Sequence, residues 1–226
     1  MASGITDAIM SKTFSKEIVF PTPKGDIRIH SFCRPEQIEQ YRFERHFGIS
    51  DDFKSLFTRP ESLSKIAACE DANVVLALAG AKDIIGYGVL DYPDAGERWA
   101  EIGEKITMEI KAIEVCRAFR SLGIAHRIMG MMMAHPQIED KIIYLVGYSW
   151  TWDLAGAGGN ALQYREQLVD FYKAYGFQEY QTNEPNVCLK PENFFMGRIG
   201  KNISQMIKDR FKWLRFGLTP WNWEVD

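Results

Sequence analysis

The chain lacks the marks of several protein classes. Its four cysteines, Cys33, Cys69, Cys116 and Cys188, form no C-x-x-C pair and have no neighbouring histidine pair, which argues against a zinc site. No positively charged start followed by an apolar core opens the sequence, so a secretory signal is not expected. Free cysteines without a signal fit a reducing cytoplasm. The longest apolar run, near Ile142–Val146, is far too short to span a bilayer. There is no excess of positive charge: the formal net charge is −3, which disfavours bulk attraction to nucleic acid or to an anionic membrane. Internal repeats and low-complexity segments are absent. So are a Gly-Lys-Ser/Thr phosphate loop and a G-x-G-x-x-G dinucleotide fingerprint.

What remains is globular in composition. Hydrophobic residues make up 46% of the 226 and charged residues 25%, enough for one large core or two small ones. Residues 1–15 are small and polar and read as a loose tail, leaving 16–226 as a single domain. Strands are expected at Glu17–Phe20 and Asp26–Cys33, with turn chemistry between them. Pro35 opens a helix over Glu36–Phe47, and Asp51 and Asp52 suggest the cap of the next. Pro60–Cys69 is a further helix. Asn73–Ala79 and Ile84–Asp91 form a hairpin. A strand over Ile106–Cys116 leads into a glycine turn and a Met-rich helix, Ala125–Ala134, which Pro136 ends. Lys141–Trp150 is a strand, and Ala155–Asn160 a flexible loop. Ala161–Tyr175 is a helix carrying Leu162, Leu168, Phe171 and Tyr172 on or near one face. Phe194–Ile199 is the last strand. The final helix, Ile203–Leu218, stripes Ile207, Phe211, Leu214 and Leu218. This order reads as mixed α/β with one central sheet.

The most informative stretch is Arg120-Ser-Leu-Gly-Ile-Ala125. A strand, a turn with a glycine and a helix start make an anion site. The amides of Leu122, Gly123, Ile124 and Ala125 have no intrahelical partner, and the helix dipole adds positive charge. Gly123 lets the backbone approach a ligand closely.

This string resembles the R/Q-x-x-G-x-G/A turn of the Gcn5-related N-acetyltransferases, with Ala125 as the last small residue. The resemblance implies a turn that cradles the pyrophosphate of coenzyme A, with acetyl-CoA as co-substrate and no metal. It also implies the fold of that family: a central mixed, mostly antiparallel sheet flanked by helices. Two parallel strands in it, here Ile106–Cys116 and Lys141–Trp150, splay apart. Phe171-Tyr-Lys-Ala-Tyr-Gly-Phe177 is similar to the family's Tyr-x-x-x-Gly-Phe helix end, which implies Tyr172 as the acid that protonates the departing thiolate.

The remaining chemistry is read from residue type. A lysine with pKa about 10.4 must lose a proton before it attacks a thioester, and a carboxylate in a dry cleft is a suitable base. Glu109 and Glu114 are the candidates. Five residues apart on a regular strand they face opposite sides, so one of them faces the site, and Glu109 is preferred. The Val115 amide is placed to stabilise negative charge on the acetyl oxygen. Trp150 and Trp152, on one face of an extended segment, with Asp153 beside them, suit an acceptor pocket. His30, His126 and His135 lack the spacing of a metal site or a triad, and the methionines read as core filler. Lys208, Arg210, Lys212 and Arg215 give the last helix a basic face, either solvated or a docking surface for an acidic partner.

Further strings narrow the resemblance. They are Gly86–Asp94 with Glu97-Arg-Trp99, Ala112–Val115, Trp150–Leu154 and Arg198-Ile-Gly-Lys-Asn-Ile-Ser204. Together they are similar to the acetoin-utilization acetyltransferases of Gram-positive bacteria. That resemblance implies an acceptor lysine on acetyl-CoA synthetase, whose activity acetylation switches off. Glu166 departs from it, since many relatives place Asn six residues before the helix tyrosine. A small-amine acetyltransferase and a non-catalytic acetyl-CoA-binding regulator remain as alternatives.

Overall fold

The computed structural model describes residues 14–50 and 53–218. Most of the expected tail and the Asp51–Asp52 cap lie outside these residues. Two compact units emerge. One takes the chain through Asp91 together with Ile110–Pro136, the other Tyr92–Glu109 and the chain from Gln137 onward.

The first unit contains β1 (Glu17–Phe20), β2 (Ile27–His30), helix α1 (Pro35–Ile38) and the two-residue strand β3 (Arg42–Phe43). It continues with β4 (Ile49–Ser50), β5 (Phe53–Lys54), α2 (Pro60–Ala67), β6 (Asn73–Ala79), β7 (Asp83–Asp91), most of β8 (Thr107–Val115) and α3 (Ile124–Met133). The sheet order is β1-β2-β6-β7-β8, with β3 running parallel to β7 and β4–β5 forming a separate hairpin. The helix expected to run to Phe47 stops at Ile38. The Arg42 Nε–Asp83 pair at 2.8 Å and the pairing of Phe43 with Ile84 hold the following residues in a strand. The segment after Asp52 likewise starts as strand β5 and not as a helix.

Helix α3 turns Ile124, Ile128, Met129, Met131 and Met132 inward, the spacing of one helical face. Its seat is Gly88 on β7. A Cβ there would lie 2.4 Å from Ile128 Cγ2 and 2.9 Å from the Met132 sulfur. The helix that carries the glycine turn at its start therefore rests directly on strand backbone.

The second unit holds the first residues of β8 with β9 (Ile142–Gly147), α4 (Ala161–Lys173), β10 (Gln178–Glu179), β11 (Phe194–Ile199) and α5 (Gln205–Leu214). Its sheet order is β8-β9-β11-β10. β8 and β9 pair in parallel from Thr107–Ile142 to Glu109–Tyr144, and β11 is antiparallel to β9 along its whole length. Trp99 anchors the core. It stacks on Phe195 at 4.8 Å, lies 5.0 Å from Tyr144, and shares a cluster with Phe211 and Leu214. Asn160 starts α4 by accepting the Gln163 N–H at 3.0 Å, and Ser204 accepts the Ile207 N–H at the start of α5.

Several expected details differ. Val169 and Tyr172 are the buried residues of α4, whereas Leu162 is exposed; Leu218 lies beyond α5 and is also exposed. Of the basic residues on α5, two turn toward the protein. Arg210 reaches the Ile102 carbonyl, and Arg215 packs over Tyr180 and bonds the Gln181 carbonyl at 3.2 Å. The Arg198-Ile-Gly-Lys-Asn string is structural. Arg198 pairs with Glu139, whose carboxylate also accepts the Lys201 N–H at 2.9 Å, and Asn202 bonds Asp140 at 2.7 Å. The Lys201 amide and the Arg198 guanidinium hold the Glu139 carboxyl below its ordinary value.

Gly88→Ala is expected to lower stability by about 1–3 kcal/mol through overpacking against α3. Gly130→Ala, where a Cβ meets nothing within 4 Å, should be neutral or stabilising. Urea midpoints decide it, and equal midpoints for Gly88→Ala and the parent would show that α3 does not sit on that strand.

Candidate active site

In the first unit the expected anion cradle forms. Arg117–Phe119 is a short 3-10 turn, Ser121 (φ 62°) and Gly123 (φ 72°) both adopt left-handed backbone, and α3 begins at Ile124. Among the described residues the amides of Leu122, Gly123, Ile124 and Ala125 find no acceptor. They stand at the positive end of the helix dipole, where an anion replaces the missing carbonyls. Arg120 braces the turn, its Nε donating to the Val115 carbonyl at 3.2 Å. Val115 is buried at the end of β8.

Two cations near this turn escaped the reading of the motif. Arg127 donates to the Gly123 carbonyl at 3.1 Å and its guanidinium lies 3.9 Å from the Phe20 ring centre. Lys24 lies over Phe119 at 5.1 Å. The four-residue spacing from Gly123 could have revealed Arg127. Lys24 arrives from a distant turn and had no local signal.

Glu114 also belongs to the first unit. Its carboxylate accepts hydroxyl protons from Ser55 and from Tyr87, the latter at 2.8 Å. The Phe57 N–H in turn bonds the Tyr87 oxygen at 3.3 Å. Burial and the Glu114 charge raise the Tyr87 phenol well above its ordinary value, so it stays a donor. Two donors stabilise the charged carboxylate and make Glu114 a brace between β8, β7 and the segment after β5.

Glu109 has a different setting, in the second unit. It is the cross-strand partner of Tyr144. The buried Tyr144 hydroxyl donates to Glu97 at 2.8 Å, and burial together with the charges of Glu109, Glu97 and Glu184 pushes the phenol far up. Tyr148 is raised by burial and the same three carboxylates. Glu97, Tyr144 and Glu184 were not singled out for chemistry, because their association joins residues far apart in the chain.

Tyr172 lies in the last turn of α4, buried against Phe171 and Phe177 at 5.1 and 5.9 Å. Burial raises its phenol above the ordinary value. A neutral phenol has the protonation state a general acid needs.

The Trp150–Asp153 segment is not extended. β9 ends at Gly147 and Ser149–Thr151 forms a 3-10 turn, which separates the two indoles. Trp150 is 49% exposed, stacks on Tyr148 at 4.8 Å and receives the Lys190 ammonium at 5.7 Å. Trp152 packs edge-on to Tyr164 and against Phe194. Asp153 is buried and accepts the Gly156 N–H at 3.1 Å, so it shapes the following turn. Among the described residues no three His, Cys, Asp or Glu side chains group to hold a metal. No helix there is long and apolar enough to cross a membrane.

The chain is 33% identical over 195 residues to the acetoin utilization protein AcuA of Bacillus licheniformis, covering 86% of this chain and 91% of that one. It belongs to the AcuA family. The crystal structure of an acetoin utilization protein from Exiguobacterium sibiricum matches with a TM-score of 0.79 at 29% identity, covering 89% of this chain and 94% of that one. The GNAT domain of S. lividans PAT matches with a TM-score of 0.52 at 12% identity, over 82% of this chain and 96% of that domain, a likeness of fold alone. No family model matches. This AcuA-family chain thus has the Gcn5-related acetyltransferase fold. The unpartnered amides at Gly123 form a cradle that fits a phosphate or pyrophosphate.

Gly123→Val is expected to weaken acetyl-CoA binding by roughly tenfold or more, since each tenfold is about 1.4 kcal/mol of lost contact. A β-branched side chain at positive φ is strained and would crowd the cradle; its Cβ would lie 2.7 Å from the Arg127 guanidinium. Calorimetry on the folded variant checks this, and unchanged affinity would remove the turn from the donor site.

Proposed function

We propose that the protein transfers the acetyl group of acetyl-CoA to a lysine side chain of acetyl-CoA synthetase in the cytoplasm and so lowers the synthetase's activity. The observation that carries the donor half is the set of four amides at the Gly123 turn without acceptors. Family membership and the sequence strings shared with acetoin-utilization acetyltransferases support the acceptor. The exposed face of Trp150 already receives one lysine ammonium, that of Lys190, which is the contact an acceptor lysine would make.

In this reading the Leu122–Ala125 amides hold the donor's pyrophosphate, braced by Arg120, while Arg127 and Lys24 add positive charge. Glu109 takes a proton from the lysine ammonium, directly or through water. The neutral amine attacks the thioester carbonyl, and the Val115 amide stabilises the charge on its oxygen. As the C–S bond breaks, Tyr172 gives its proton to the thiolate, and the second proton shed by the amide nitrogen passes through water to restore the tyrosine. No covalent bond to the enzyme forms. Glu114, accepting from the Ser55 and Tyr87 hydroxyls, braces the strand. Trp150 offers an aromatic wall to the acceptor stem, while Trp152 packs against Tyr164 and Phe194 and Asp153 shapes the turn that follows.

Tyr172→Phe keeps the ring and removes the proton, so turnover should fall about 10²–10⁴-fold with donor affinity unchanged. Glu109→Gln should slow the reaction most at neutral pH, and the loss should shrink as pH rises and the amine becomes neutral by itself. Glu114→Gln should act mainly on stability. Steady-state rates across pH on a lysine peptide check all three. A pH-independent loss in Glu109→Gln, or parental turnover in Tyr172→Phe, would contradict the assignments.

A further inference from the structure

Trp150 already carries an ammonium of this same chain, and the second unit is built to put it there. β11 runs antiparallel to β9 with Phe194 paired to Gly147, so the residues just after β9 and just before β11 lie side by side. The chain leaves β9 through Tyr148 and the 3-10 turn Ser149–Thr151. It enters β11 through the 3-10 turn Val187–Leu189 and Lys190.

Asn193 pins the two segments together. It is buried, its side-chain oxygen accepts the Ser149 N–H at 2.8 Å, and its side-chain nitrogen donates to the Asn186 carbonyl at 2.7 Å. Its backbone N–H donates to the Lys190 carbonyl at 3.1 Å. The Tyr148 hydroxyl adds a bond to the Pro185 carbonyl at 3.1 Å. The backbone of Lys190 is thus held beside the platform that Tyr148 and Trp150 make by stacking at 4.8 Å. From there its ammonium lies 5.7 Å from the Trp150 ring centre, within the range of a cation–π contact. Lys190 and Trp150 are both exposed, so the side-chain contact can open without disturbing the core.

We infer that Lys190 is a built-in competitor for the acceptor lysine: its ammonium covers the indole face that the substrate's lysine uses, and the substrate must displace it. This inference rests on the reading of Trp150 as the acceptor wall. An exposed cation–π contact is worth a factor of about two to five in an equilibrium, enough to keep the face covered in most molecules. An acceptor that needs the face free then binds with an apparent affinity reduced to the uncovered fraction. Because Lys190 competes from within its own chain, the effect does not depend on protein concentration. It weighs on acceptor binding and leaves the donor and the chemical step alone.

The test uses the full chain with acetyl-CoA and an N-terminally blocked lysine peptide, and reads kcat and the KM for each substrate. Lys190→Ala uncovers the indole, so the peptide KM should fall roughly threefold with kcat and the KM for acetyl-CoA unchanged. Lys190→Arg keeps a cation on the ring and should hold the parental peptide KM. Adding Trp150→Leu to Lys190→Ala takes the wall from an acceptor that has lost its competitor, so the peptide KM should climb back roughly threefold. A loop that only braced the fold would give no such split between KM and kcat. A parental peptide KM in Lys190→Ala that rises when Trp150→Leu is added would overturn the inference and leave Trp150 in the acceptor site. A parental peptide KM in both variants would remove Trp150 from the acceptor site, and the inference with it. A fall in Lys190→Ala that Trp150→Leu does not reverse would also overturn the inference, because the competition would not act through the indole.

Discussion

The account turns on the two-residue repeat of strand β8. Successive side chains of a strand point to opposite faces, so carboxylates five residues apart on a regular strand cannot share one environment. The nine residues Thr107–Val115 carry both candidates. Glu114 meets two hydroxyl donors, Ser55 and Tyr87, and becomes a brace. Glu109 pairs across the strand with a tyrosine whose proton is given to another carboxylate. One strand thus sets Glu114 between two hydroxyl donors, Glu109 beside Tyr144 and, at its end, the Val115 carbonyl under the Arg120 guanidinium.

Chemistry of this kind asks for opposite properties from groups of the same type. A carboxylate rich in donors is stabilised in its charged form and gives up basicity. Burial acts on the phenols in another way: Tyr87, Tyr144 and Tyr172 are all pushed upward and remain protonated, and the first two donate to Glu114 and Glu97. The two tyrosines that hold carboxylates are structural donors; the third is the acid of the proposed reaction.

Local features were legible in the sequence. Strand β11 has the expected bounds, and α3 begins one residue before the expected start, because Gly123 adopts the left-handed backbone that ends the turn. The anion cradle could be read because it consists of backbone amides whose freedom follows from helix geometry. Features set by distant pairing were not legible. The helix after Pro35 is cut short by pairing of Arg42 and Phe43 with β7. The extended Trp150–Trp152 segment is a turn, which sends one indole to the surface and the other against Phe194. Arg210 and Arg215 look like part of a basic face but reach back to carbonyls. The Glu97–Tyr144 bond spans 47 residues, and no local pattern announces it.

The central claim is that this chain moves an acetyl group from acetyl-CoA to a lysine of acetyl-CoA synthetase. Incubating the purified chain with acetyl-CoA and the synthetase, then mapping modified peptides by mass spectrometry, tests it most directly. The account predicts one acetyl group on a specific synthetase lysine, formed only with both acetyl-CoA and this chain present, together with loss of synthetase activity. Efficient acetylation of a free amine with the synthetase left unmodified would contradict it.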